Sequence, residues 1–187
     1  MCDYHDLIVV TNRKLCRGDF LAQMEKVCAL KPKALILREK DLTEAAYEAL
    51  AAQVLPICAR HGVPCYLHTF ADVARRLGCE NVHFSLPGLR EHAAELGDFR
   101  AVSVSCHSVE DVLEAQTLGA TQALLGNIYE TDCKKGLQGK GLDLLRAACG
   151  RSRIPVYAIG GIDLARLREV LAAGAAGGCM MSGFMTL

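Results

Sequence analysis

The sequence predicts one domain over residues 1–187 of the α/β class, folded as a (β/α)8 TIM barrel. Short β-branched runs alternate with longer amphipathic stretches from end to end, and no Ser-, Pro- or Gly-rich linker interrupts them. The short runs are apolar on both faces, as strands of a parallel sheet covered by helices must be. Eight such units close into a barrel; an open doubly wound sheet is the alternative built from the same pattern.

In chain order the strands are 7–11 (LIVVT), 34–38 (ALILR), 65–68 (CYLH), 81–85 (NVHFS), 101–105 (AVSVS), 122–126 (QALLG), 156–160 (VYAIG) and 178–181 (GCMM). Helical patterns fill 19–30, 43–61, 70–77, 89–96, 109–118, 142–149 and 164–173. Thr43, Ser108 (with Asp111 three positions on) and Asp163 stand where N-caps belong, each with a hydroxyl or carboxylate to satisfy an unpaired first-turn N–H. Leu118-Gly119-Ala120 and Ala173-Gly174-Ala175, with Leu77-Gly78-Cys79 as a variant, recur where a helix turns back into the barrel, glycine ending the helix. After the eighth strand only residues 183–187 remain, so the eighth helix is expected to be truncated or missing. Apolar surface left by it would favour a homodimer.

Hydrophobic residues make up 51% and charged residues 22% of the 187, ample for a buried core. The 21 basic and 21 acidic residues cancel, which removes any global field drawing the chain to nucleic acid or an anionic membrane. The amino terminus meets charge within three residues and has no long apolar run, so the reading is a soluble cytoplasmic protein. The ten cysteines contain no Cys-x-x-Cys pair, which argues against zinc, and they read as reduced thiols serving as small core hydrophobes. Cys106 and Cys133 fall in candidate ligand loops, and Cys133 precedes two lysines that would lower its pKa.

The chemistry concentrates in ETDCKKGLQGKG, residues 130–141. Gly136, Gly139 and Gly141 let backbone approach a ligand, and Lys134, Lys135 and Lys140 supply charge suited to a small anion. A solvated surface loop is the competing reading. In a (β/α)8 barrel the site lies at the carboxyl ends of the strands, and phosphate is often held after strands seven and eight. Strand seven ends in Gly160-Gly161 before a capped helix, and strand eight ends in Met181-Ser182-Gly183; backbone N–H groups there could wrap a phosphate.

Over nearly its whole length the chain resembles the thiamine phosphate synthase and TenI superfamily of phosphate-binding barrels. LILREKDLTE (35–44), VSVSCHSVEDVLEAQTLGA (102–120), LLGNIYETDCKKG (124–136), IPVYAIGGI (154–162) and the final MMSG fall in family order. The ETDCKKG loop is most similar to the TenI branch, whose members are thiazole tautomerases. The resemblance implies that Arg38, Lys40, Ser105, Thr131 and Lys134 bind substrate anions, and that Gly160, Gly161, Ser182 and Gly183 cradle phosphate. The residues agree, since an arginine fork and a lysine at strand ends call for an anion. Pairing of Arg38 and Lys40 with Glu39, Asp41 or other local acids is the alternative.

Two departures qualify the resemblance. Synthases hold magnesium and the departing pyrophosphate with an Asn-Asp pair after strand three and an aspartate after strand four; here those places read His68-Thr69 and about Gly88, so no metal site is expected. Ile36 stands where typical synthases have glutamine. Tautomerases of the TenI type carry a histidine after strand six, proposed as acid/base, where this chain has Asn127. His107, expected at the adjacent strand end, is the substitute proton carrier; Cys133, Tyr129 and His68 are lesser candidates, and a purely structural histidine is the alternative. The implied activity is a cofactor-free thiazole tautomerase acting on a phosphorylated thiazole carboxylate, with Asn127 orienting it. A noncatalytic binder or regulatory relative, and a divergent synthase, are the other readings.

Overall fold

The computed structural model describes residues 4–131 and 138–187. Eight parallel strands form a closed barrel in the order of the chain: β1 (Leu7–Val10), β2 (Ala34–Leu37), β3 (Cys65–His68), β4 (Asn81–Ser85), β5 (Ala101–Cys106), β6 (Gln122–Gly126), β7 (Val156–Ile159) and β8 (Gly177–Met180). β8 returns to β1, Ile8 lying opposite Cys179. Closure leaves no unpaired edge and gives every strand two neighbours.

Helices follow the strands: α1 (Phe20–Ala29), α2 (Glu44–His61), α3 (Ala71–Arg76), α4 (Leu86–His92), α5 (Val109–Thr117), α6 (Gly141–Arg151), α7 (Leu164–Ala172) and α8 (Ser182–Met185). The expected caps hold: Thr43, Ser108 and Asp163 accept from the N–H groups of Ala46, Asp111 and Arg166 at 3.4, 3.0 and 2.8 Å. Gly78, Gly119 and Gly174 end α3, α5 and α7 at positive φ. α4 starts earlier than the apolar period indicates, because the Ser85 hydroxyl caps it by accepting from the Gly88 N–H at 3.3 Å.

The eighth helix is one turn long. Its Phe184 and Met185 are buried; the Phe184 ring lies 5.8 Å from that of Tyr4, and Gln23 Nε2 donates to the Phe184 carbonyl at 2.7 Å. The expected apolar gap is therefore covered: among the described residues Leu187 is the one large hydrophobic that stands exposed. The apolar argument for a homodimer falls with it. No helix among the described residues is long and apolar enough to cross a membrane.

Strand register sorts the core into two shells. Leu7, Val9, Leu35, Leu37, Val82 and Val104 point outward into the helices. Ile8, Val10, Ile36, Leu124, Tyr157 and Cys179 fill the barrel interior. The pairings Ile36↔Tyr66, His68↔His83, His83↔Ser103 and Ser105↔Leu124 place the polar residues of β3–β5 on that same inner face. The interior is thus apolar along β1, β2, β7 and β8 and polar along β3–β5, with Gln122 of β6 lying opposite Ser103.

Candidate active site

The polar sector is built by alternation. β4 reads Asn-Val-His-Phe-Ser, with Val82 and Phe84 turned to the helices and His83 inward. β5 repeats the pattern with Ser103 and Ser105 inward. His83, 2% exposed, is bonded at both ring nitrogens, Nδ1 to Ser103 Oγ and Nε2 to Ser105 Oγ, each at 2.9 Å. The His68 ring stands 5.3 Å from it and is hydrogen-bonded through Nδ1 to Thr69 Oγ1. Thr69 holds that hydroxyl in place from a left-handed backbone, φ 74°, its N–H donating to the His83 carbonyl at 3.0 Å. Burial, then the charges of Arg38 and Lys40, push the His68 imidazole down to about 4. Burial, then His68, Arg38 and Lys40, hold His83 well below the usual histidine range. Both rings are neutral near pH 7.

The basic pair after β2 has neighbours that the sequence did not indicate. Glu39, 3% exposed, accepts from Thr11 Oγ1 at 2.7 Å and from the Arg13 N–H and guanidinium at 3.0 and 3.1 Å. Asp41 accepts a two-pronged bond from Arg13 at 2.6 and 2.7 Å and pairs with Lys14 at 3.0 Å. The two acids beside Arg38 and Lys40 are thus engaged by bases from the loop after β1. Thr11 joins the layers, its hydroxyl also accepting from the Arg38 N–H at 2.9 Å.

His107 lies exposed just past β5. Its Nδ1 is 2.8 Å from the carbonyl of Gly126, so Nδ1 carries the proton and donates, leaving the lone pair on Nε2. Its own backbone is fixed at both ends, the N–H donating to Asp111 at 2.7 Å and the carbonyl accepting from Lys140 Nζ at 2.5 Å. Asn127 is 4% exposed, and its Nδ2 donates to the Tyr129 carbonyl at 3.3 Å.

The stretch from Asn127 to Glu130 runs against the end of β7, with the N–H groups of Ile128 and Tyr129 donating to Ile159 and Gly160 at 2.9 and 3.0 Å. The glycines make that approach possible: a Cβ on Gly160 would meet the Asn127 Cβ at 2.5 Å, and one on Gly161 the Glu130 carbonyl oxygen at 2.5 Å. Gly161 is further held by Arg166, which donates to its carbonyl at 2.7 Å and covers the Tyr129 ring at 4.6 Å. Ser182 and Gly183 are exposed at the start of α8, which follows β8, the strand beside β7. Thr131 is half-buried at the edge of the described chain. Lys134, with Cys133, Lys135 and Gly136, lies outside the described residues. Cys106 is corrected: it ends β5 facing outward, fully buried, and burial pushes its thiol up to about 12. Tyr129 is likewise engaged, its hydroxyl donating to Glu169 at 2.6 Å.

Residues 7–184 match the family model described as Thiamine monophosphate synthase (TMP-TENI). The chain belongs to this family. A thiamine-phosphate synthase of Thermus thermophilus is 35% identical over 156 residues, covering 83% of this chain and 76% of the relative. One from Clostridium acetobutylicum is 28% identical over 186 residues, covering 97% and 88%. The solved thiamine phosphate pyrophosphorylase from Pyrococcus furiosus shares the fold, with a TM-score of 0.81 at 24% identity over 98% of this chain and 89% of that one. These relatives carry the synthase name; the comparisons establish the thiamine monophosphate synthase/TenI family and none of these relatives singles out the TenI branch.

The magnesium that the resemblance associates with synthases finds a poor donor set here. It calls for carboxylate oxygens, and the ends of β3 and β4 offer His68, Thr69 and Ser85. Among the described residues no three acids, histidines or cysteines are grouped to hold a metal.

Proposed function

We propose that this family member is an isomerase that moves a proton on a phosphorylated thiazole carboxylate. The observation that carries the reading is the chemistry at the ends of β3–β5: neutral imidazoles and hydroxyls stand where condensation would call for carboxylates. Glu39, the buried acid after β2, is occupied by Thr11 and Arg13. Gly160, Gly161, Ser182 and Gly183 hold the phosphate, while Arg38, Lys40 and Ser105 face the carboxylate, with Thr131 and Lys134 contributing from the following loop. His107 Nε2, its lone pair fixed by the Nδ1–H bond to Gly126, takes a proton from a ring carbon and returns it at a second position, giving the aromatic isomer. Asn127 orients the loop and transfers no proton.

The synthase name of the relatives favours a second reading, condensation with release of pyrophosphate. One pair of assays separates them. The purified chain is given the non-aromatic thiazole phosphate carboxylate in deuterated buffer and followed by NMR. It is also given a thiazole phosphate, a pyrophosphate-bearing co-substrate and magnesium, and assayed for pyrophosphate. Isomerisation with deuterium incorporation is the expected result. Magnesium-dependent pyrophosphate without isomerisation would make the chain a divergent synthase, and binding without turnover in either assay a noncatalytic relative.

A further inference from the structure

The buried hydrogen bonds at His83 have a direction that follows from counting protons. A neutral imidazole has one donor and one acceptor nitrogen, and each serine hydroxyl has one proton to give. Ser103 is fully buried, and among the described residues its hydroxyl has His83 Nδ1 as its partner, at 2.9 Å. If Nδ1 carried the ring proton, Ser103 could only accept, and its own proton would be stranded in the barrel interior, a desolvation cost that folded proteins avoid. In the opposite arrangement Ser103 donates to Nδ1 and Nε2–H donates to Ser105 Oγ at 2.9 Å, so that the Ser103 proton and the ring proton are both used. Ser105 is partly exposed at the carboxyl end of β5; with its oxygen already accepting, its proton is left to give to whatever lies in the mouth.

We propose that Ser103 and His83 form a one-way relay that fixes Ser105 as a hydrogen-bond donor toward an oxyanion of the substrate, a carboxylate in the reading above. Ser103 and His83 are then positioning residues, and Ser105 the group that touches the ligand. The charged and titratable groups facing His83 are His68 on β3 and Arg38 and Lys40 after β2; they favour a neutral ring inside and an anion outside. The Nε2–H assignment stands on hydrogen-bond geometry alone; only the ligand's identity rests on the proposed function.

The test is NMR of the protein labelled with 15N-histidine, the His83 signals assigned by their loss in His83→Gln. The expected result is an Nε2–H tautomer in the wild type, constant from pH 5 to 8, whose preference weakens in Ser103→Ala. Ser103→Ala should also weaken binding of a thiazole carboxylate lacking phosphate about 3- to 10-fold, while the affinity for inorganic phosphate stays the same. An Nδ1–H tautomer, a ring that titrates between pH 5 and 8, or carboxylate binding indifferent to Ser103→Ala would overturn the relay. A wild type with the Nε2–H tautomer but no affinity for the thiazole carboxylate would overturn the ligand assignment and leave the hydrogen-bond direction standing.

Discussion

His107 and His83 show how differently two histidines of one barrel can be used. His107 is exposed, held by its backbone at both ends, and presents Nε2 with its lone pair. His83 is enclosed, bonded on both nitrogens and kept neutral. His107→Gln is expected to lower kcat about 100- to 10,000-fold with little change in phosphate affinity, measured by isomerisation rate and phosphate titration; unchanged turnover would remove His107 from the mechanism. The position of His107, Asn127, Arg38 and Lys40 just past strand ends is legible in the sequence, because each follows a short apolar run. The signal of His83 and Ser103 is weaker and lies in the Asn-Val-His-Phe-Ser alternation: polar residues at every second position of a strand face inward together. Glu39 and Arg13 left no such trace, since their pairing joins residues 26 apart.

Among the elements, α2 does more than cover the sheet. Tyr47, fully enclosed, donates its hydroxyl proton to the Leu37 carbonyl at 2.6 Å and accepts from the His68 N–H at 2.8 Å, tying the ends of β2 and β3 where Arg38 and His68 emerge. Tyr47→Phe strands both backbone groups and is expected to cost about 1–3 kcal/mol in urea unfolding. It should also weaken anion binding more than a substitution on the outer face of α2; an unfolding midpoint equal to wild type would show the clamp to be dispensable. The elements were legible because their periods differ, and their caps because hydroxyl and carboxylate residues precede the apolar runs. The start of α4 was not, since Leu86-Pro87-Gly88 breaks the apolar period while the Ser85 cap overrides it.

At the scale of the molecule, neutral imidazoles inside the barrel tie stability to pH. A histidine such as His68, which titrates near 6.5 when unfolded and at about 4 when folded, binds more protons unfolded across the interval between. Its contribution is therefore complete above about pH 6.5 and is lost as the pH falls toward the folded value. Between pH 7 and 5 the unfolding free energy is expected to drop by about 2 kcal/mol for His68, with a further loss in the same direction from His83, whose burial also disfavours the charged ring. Urea titrations of wild type and His68→Gln would check it, the variant showing the shallower slope; a wild-type curve flat over that range would mean that both rings take up protons in the folded barrel.

The sequence by itself determined a parallel sheet of eight strands, because strands apolar on both faces demand cover on both sides, and it determined which strand ends carry basic and glycine residues; the β8–β1 pairing that closes the sheet into a barrel belongs to the tertiary structure. Only the tertiary structure decided what those residues touch. It gave Glu39 and Asp41 to Arg13 and Lys14, and turned Cys106 into the outer core. It also closed the gap beside α8 with Phe184 and joined His83 to two serines of the next strand. The physical reason is the same in each case. Local periodicity is set by neighbours three or four residues along a helix or two along a strand, whereas these contacts depend on register between strands distant in the chain, which closure of the barrel alone fixes.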